Sequence, residues 1–264
     1  GPSSQCILSV GIASEPMDAQ AIRALSAEIE QESQYCDAIL KEIGCVIVGQ
    51  TDLLNRMLIG LLADGHLLLE GVPGLAKTTA VKALADTVEA RFSRVQFTID
   101  LLPSDILGSE VLDQRNNEFR THLGPIFTNL LLADEINRAA PKVQSALLEA
   151  MQERKVTIGN ETHTLPAPFL VIATQNPIEQ SGTFELPEAQ LDRFMMLLGL
   201  GYPAAEVEAD ILRSQALAHP VDSLSSVLSA DDVLVLQENV RRVQVDDTVT
   251  QYIVDIVRAT REHP

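Results

Sequence analysis

A glycine-bearing turn set between a short apolar run and a helix constrains this chain more than any other feature. HLLLE at 66–70 runs into GVPGLAKTT at 71–79, and the segment TTAVKALADTVE then carries helical spacing. Apolar runs of this length without alternation are strands buried on both faces. The same unit recurs along the chain. VQFTI at 95–99, NLLLADE at 129–135, FLVIATQ at 169–175 and FMMLLGL at 194–200 read as strands, and PKVQSALLEAMQE at 141–153 reads as a helix. Strands of this kind alternating with helices predict an α/β fold, a parallel sheet sandwiched by helices.

The turn itself has the chemistry of a phosphate loop. Backbone N–H groups can point inward at an anion only where residues are small and φ/ψ unusual, and the helix that follows adds a positive dipole end. Gly71, Pro73, Gly74, Leu75, Ala76, Lys77, Thr78 and Thr79 would form the cradle. Lys77 would neutralise the β- and γ-phosphates of ATP, and the Thr78 hydroxyl would hold Mg²⁺. The pattern G-x-x-x-x-G-K-[ST] is broken at its second glycine, where Ala76 stands; Gly74 and the fixed φ of Pro73 are expected to supply the missing freedom. NLLLADE adds the second part. A buried strand ending in Asp134 and Glu135 places a carboxylate at the C-terminal edge of the sheet, where ligands of open α/β sheets bind. Asp134 would hold Mg²⁺ through water, and Glu135 would polarise the attacking water. Asn176, just after a strand, is a candidate for orienting that water or meeting the γ-phosphate, with a turn residue ahead of Pro177 as the plainer reading.

The flanks are helical. Residues 18–43 place Ile22, Leu25, Ile29, Tyr35, Cys36, Ile39 and Leu40 on one stripe, with Glu28, Glu30 and Glu32 expected on a solvated face. Gly44 would stop this helix, CVIVG at 45–49 would be a short extended piece, and a second helix would run from about Asp52 to Asp64. Two segments, 107–124 and 155–165, look like hairpins turning at Asn116-Asn117 and Gly159-Asn160. After Pro203 strand signals stop and three amphipathic helices follow, the second N-capped by Ser229. The expected organisation is an N-terminal helix with a protease-scar dipeptide (1–44), a nucleotide-binding α/β part (45–202) and a small all-α lid (203–264).

Charge narrows the partners. Lys plus Arg is 19 and Asp plus Glu is 37, a formal net charge of −18. So acidic a surface repels nucleic-acid phosphate and anionic lipid. Three cysteines, Cys6, Cys36 and Cys45, without zinc spacing fit a reducing compartment. FMMLLGL is far short of the roughly 18 residues of a membrane helix, so a cytoplasmic, membrane-free protein is expected. The five histidines lack metal-ligand spacing, and no GxSxG pattern supports hydrolase chemistry of the serine type.

Taken together, IVGQ at 47–50, LLEGVPGLAKT at 68–78, DLLPSDILGSEV at 100–111, GPIFTNLLLADEINRA at 124–139, PKVQSALLEAMQE at 141–153, IATQNPIEQSGTFELPEAQLDRF at 172–194 and GYP at 201–203 resemble the MoxR family of AAA+ ATPases over about residues 45–264. The resemblance implies an AAA+ P-loop NTPase fold whose family tolerates Ala76. It implies Asn176 as sensor 1, Arg193 as an arginine finger reaching a neighbour's nucleotide, and Val48 and Gly49 lining the adenine pocket. The segment 107–124 looks like the helix-2 insert, and 155–165 like the pre-sensor-1 hairpin. It further implies a ring, a hexamer in expectation, that matures or remodels client proteins, with a partner bearing a von Willebrand factor A domain. The family's sensor 2 arginine, in a helix after the lid, has no counterpart before Pro264, so the lid is read as lacking its last helix. Two other readings stay open on the residues: a nucleotide-dependent binding module with incidental hydrolysis, and a DNA motor. The charge and the few basic residues of the hairpins (Arg115, Arg120, Lys155) count against the motor.

Overall fold

The computed structural model describes residues 19–71, 77–114, 117–176, 182–201 and 224–262. Helix α1 (Ala19–Gly44) and helix α2 (Thr51–Leu62) precede strand β1 (Leu67–Glu70) and helix α3 (Lys77–Thr87). Then come β2 (Phe92–Gln96), the short α4 (Pro103–Leu107), and the hairpin β3 (Gly108–Asp113) and β4 (Glu118–Leu123). Strand β5 (Leu130–Asp134) leads through a 3-10 turn (Ile136–Arg138) to α5 (Pro141–Glu153) and a second hairpin, β6 (Lys155–Ile158) and β7 (Glu161–Thr164). Strand β8 (Leu170–Gln175), α6 (Glu188–Leu191), β9 (Met196–Gly199), α7 (Ala230–Arg242) and α8 (Asp247–Glu262) complete the order.

The strands form a five-stranded parallel sheet in the order β2-β5-β8-β1-β9. Successive side chains of a strand point to opposite faces, and here both faces are covered. Leu67 and Leu69, Leu130 and Leu132, and Leu170 and Ile172 enter one apolar cluster with α1, α2 and α3. Leu68, Leu131, Ala133, Val171 and Ala173 enter the other, against α5. That two-sided demand is why the central strands are unbroken apolar runs and why their register is fixed; a slip of one residue would exchange the two cores.

Four sequence expectations shift. CVIVG at 45–49 is a turn, with Gly49 at φ 78, because Val46 and Ile47 bond back to Ile43 and continue the end of α1. The strand expected at 95–99 is Phe92–Gln96, since pairing with β5 aligns Phe92 with Leu130 and Gln96 with Asp134. FMMLLGL shrinks to the edge strand β9, where Leu197 is exposed. The acidic face of α1 is not purely solvated: Glu32 accepts a hydrogen bond from Asn239 Nδ2 (2.6 Å) and Glu28 pairs with Arg242 (3.4 Å), both on α7.

Both hairpins pair where expected, and residues 115–116 at the expected turn of the first lie outside the described residues. Gly159 turns at φ 58, and at the base of the other hairpin a Cβ on Gly108 or Gly124 would collide with a backbone carbonyl oxygen. Ser229 caps α7, accepting the Asp232 N–H while Asp232 accepts the Ser229 N–H. Leu228, Val233 and Leu236 place α7 in the same cluster as α1–α3, and Gln237 Nε2 donates to Leu61 O (2.6 Å). Helix α8 is amphipathic but has no buried residue. The helix expected at 204–217 lies outside the described residues, and among those described no helix is long and apolar enough to cross a membrane.

His66 shows how tightly the entry to β1 is built. Its Nδ1 accepts the Val171 N–H (3.0 Å), Nε2 faces Met151 O (3.3 Å), and the ring meets Phe169 edge-on. This is a satisfied neutral imidazole, and burial first, then the Arg154 charge, pulls its pKa down to about 3. The unfolded chain therefore binds the proton first on acidification. The stability from neutral His66 is complete above pH 6.5 and is lost as pH falls from there towards 3, a loss on the order of 4 kcal/mol. Urea unfolding between pH 7 and pH 4 should show a shallower fall for His66→Asn than for the wild type, with the variant less stable at pH 7.

Candidate functional site

The site is assembled at the C-terminal edge of the sheet. Residues 130–133 of β5 are buried and Asp134 emerges half-buried at the strand's end, with Glu135 next in the left-handed region at φ 57. A non-glycine residue there carries backbone strain of about 1–3 kcal/mol, a cost that surrounding contacts must hold. The neighbouring strand β8 supplies the contact. Thr174 Oγ1 donates to Asp134 Oδ1 (2.6 Å) and accepts the Glu135 N–H (2.9 Å), so one hydroxyl positions both acidic residues. On the other side β2 presents Arg94, whose Nε and Nη2 donate to Asp134 Oδ2 (3.2 and 2.6 Å). Arg138 Nη1 donates to Glu135 Oε2 (2.8 Å).

Lys77 opens α3, with Thr78 and Thr79 half-buried in the first turn. Its Nζ donates to the carbonyl oxygen of Gly71 (2.8 Å), and Gly71 N–H donates to Gln175 O at the end of β8 (3.4 Å). Gly71 and Lys77 are thereby tied to each other and to the sheet. Burial pushes the Lys77 ammonium below the usual lysine pKa, while the charges of Asp134 and Glu135 push it back up. Lysine and both carboxylates thus share one electrostatic environment. Pro73, Gly74, Leu75 and Ala76 lie outside the described residues.

Asn176 follows β8 in the same place, half-buried, and its carbonyl accepts a hydrogen bond from Asn137 Nδ2 (3.2 Å). Val48 and Gly49 sit in the turn between α1 and α2, beside Ile47, which is buried in the cluster that α3 shares. Arg193 is elsewhere. It precedes β9, whose first residue Met196 pairs with Leu67 at the start of β1, so it lies at the opposite, N-terminal edge of the sheet. Strand length alone separates the edges by about 13 Å. There Arg193 Nη1 donates to Leu148 O (2.9 Å), beside a shallow pocket bordered by His66, Met151, Gln152, Ala189 and Asp192.

Sequence reasoning overlooked Thr174 and Arg94. Thr174 was legible as the polar residue closing the apolar run LVIA. Arg94 lay just before the strand expected at 95–99, and only the β2–β5 pairing brings it to Asp134.

The donor set suits a magnesium triphosphate. Among the described residues no group of three or more His, Cys, Asp or Glu could cage a metal. Mg²⁺ needs no such cage, since it usually takes one or two carboxylates, waters and substrate phosphates. Asp134 Oδ2 already accepts from a cation, the Arg94 guanidinium, and can accept equally from metal-bound water. Thr78 and Asp134 are the residues that would hold the ion, and Lys77 with the α3 N-terminus would meet phosphate.

Several known proteins are similar to this chain. A family model for the ATPase family associated with various cellular activities (AAA) matches residues 66–196. The uncharacterized protein YeaC of Bacillus subtilis (strain 168) is 50% identical over 225 residues, covering 85% of this chain and 70% of YeaC. The protein named Chaperone MoxR1 of Mycobacterium tuberculosis is 52% identical over 221 residues, covering 84% of this chain. This chain spans 58% of the length of MoxR1, and 56% of Protein MoxR of Methylorubrum extorquens, which is 33% identical. A solved structure of an ATPase candidate from Cytophaga hutchinsonii superposes with a TM-score of 0.81 at 46% identity, over 90% of this chain and 73% of that one. A parallel sheet with lysine, acidic pair and asparagine at one edge and these relatives lead to a single family: the chain belongs to the MoxR AAA+ ATPases.

Proposed function

We propose that this chain binds ATP with Mg²⁺, hydrolyses it to ADP and phosphate, and spends the cycle remodelling or maturing a client protein as part of a ring. What carries the reading is the convergence of Lys77, Asp134, Glu135 and Asn176 at one edge of the sheet, with Thr174 fixing the acidic pair. Lys77 balances the charge of the β- and γ-phosphates at the N-terminus of α3. The adenine lies against Val48 and Gly49. Glu135 polarises the attacking water, which Asn176 helps to orient. Thr78, and Asp134 through water, would hold Mg²⁺, which when bound would supply charge neutralisation to the phosphates.

Arg193 acts in trans. Its place at the far edge of the sheet, away from the Lys77 cluster of its own subunit, supports that reading. An arginine finger is worth about 10³–10⁵ in rate, so assembly and activity are coupled. Residues 45–202 form the nucleotide-binding part and 203–264 the lid, a division supported by the end of strands at Gly199 among the described residues. The relative named Chaperone MoxR1 supports the client-directed role. A ring of six and a von Willebrand factor A-domain partner in the cytoplasm complete the proposal.

Calorimetry with ATP and a steady-state phosphate assay test it. Lys77→Ala is expected to lose nucleotide affinity by about 10- to 100-fold, the scale of charge-assisted hydrogen bonds. Glu135→Gln is expected to keep ATP bound and stop turnover; rapid hydrolysis by that variant removes Glu135 from the role. In the wild type, rate per subunit is expected to rise with protein concentration, and Arg193→Ala to abolish the rise. A rate that stays flat on dilution in both proteins defeats action in trans. Thr174→Val, of equal volume, is expected to raise the Mg²⁺ concentration needed for half-maximal rate, read from a magnesium titration.

A further inference from the structure

Two buried amides beneath the edge that carries Glu135 and Asn176 join parts of the site that the chain keeps far apart in sequence. Gln144 on α5 is fully buried, and its Nε2 reaches three carbonyl oxygens: Ile136 O (3.2 Å), Ala139 O (3.1 Å) and Phe184 O (3.0 Å). The first two belong to the 3-10 turn that follows Glu135. The third belongs to the segment that leads through α6 to Arg193. Asn137, also buried, completes the connection. Its carbonyl accepts the Phe184 N–H (2.6 Å) and its Nδ2 donates to Asn176 O (3.2 Å).

From these contacts we infer that Gln144 and Asn137 are positioning residues, an amide clamp that fixes the Glu135 turn against Asn176 on one side and against the Arg193-bearing segment on the other. The inference rests on the ATPase reading above. Helix α5 is the rigid member of the clamp. Gln144 and Leu148 stand one turn apart on it, and Leu148 O is the acceptor of the Arg193 guanidinium. Gln190 Nε2 also approaches Ser145 Oγ (3.4 Å) on the same helix. A movement of the arm carrying Arg193 is therefore transmitted through Phe184 and the Gln144 amide to the turn that holds Glu135. The side-chain oxygens of both clamp residues are buried and have no hydrogen-bond partner among the described residues. Packing alone does not require that cost; delivering NH₂ groups to carbonyls on three separate segments does.

The clamp acts on geometry rather than on nucleotide contact, so its removal should lower kcat and leave ATP affinity alone. Gln144→Met keeps the volume and removes the donors. Asn137→Ala removes the bond to Asn176 O and is a second, independent variant should the first fail to fold. For the full chain, steady-state ATP hydrolysis, binding of a fluorescent ATP analogue and thermal melting are measured together. The expected result is a fall in kcat of about 10- to 100-fold, the cost of a small misplacement of reacting groups, with analogue affinity unchanged and both variants folded at the assay temperature. In the double variant Gln144→Met with Arg193→Ala, the rate is expected to be no lower than that of the slower single variant, because both changes break one coupled unit. A kcat equal to wild type in either folded variant overturns the clamp while leaving the ATPase reading intact. So does a loss that tracks analogue affinity or melting temperature, or one that multiplies in the double variant. A wild-type protein that binds no nucleotide overturns both.

Discussion

The Thr174 hydroxyl is the contact on which the site depends. It lies between two adjacent acidic residues, donating to the carboxylate of Asp134 and receiving the N–H of Glu135. That single group aims one carboxylate and stabilises the left-handed backbone of the next residue. It can do so only because β5 and β8 are parallel neighbours with Ala133 opposite Ala173. The register in turn follows from burial on both faces, where Leu130, Leu132 and Ile172 must enter one core while Leu131, Val171 and Ala173 enter the other. Packing inside the sheet thus decides the geometry at its edge.

The parallel sheet also gives the molecule two chemically distinct ends. Lys77, the acidic pair and Asn176 gather where the strands finish, and Arg193 stands where they start. Charge is handled locally at each end. Arg94 and Arg138 pair with Asp134 and Glu135, and Arg154 pairs with Asp64, which Arg241 of α7 also approaches. These pairs are partly solvated and contribute modestly to stability. Their consequence is orientation of side chains. Helix α5 spans the gap between the ends, packed through Val143, Leu147, Leu148 and Met151.

Much of this was legible along the chain. The runs at 66–70, 129–135 and 169–175 declared buried parallel strands, the spacing of Lys77 and Asp134-Glu135 pointed to residues that share one edge of the sheet, and Gly159-Asn160 and Ser229 declared a turn and a cap. Edges were less legible. β2 and β9 are half-exposed, so their apolar pattern is weaker, and the expected strands at 95–99 and 194–200 missed the register that pairing imposes. Glu32 looked like a solvated residue because nothing near it in sequence reveals the amide of Asn239 on α7.

By itself the sequence determined the local physics: which segments must be buried on two faces, where the backbone can turn, and which residue types can neutralise phosphate. These follow from side-chain polarity, spacing and backbone sterics, all of which act within a few residues. Only the tertiary structure decided the partnerships, among them Thr174 with Asp134, Arg94 with Asp134, and Gln144 with Ala139 and Phe184. Each joins residues distant along the chain or on separate elements. Their distances are set by strand order and helix packing, which emerge when the two apolar cores close around the sheet.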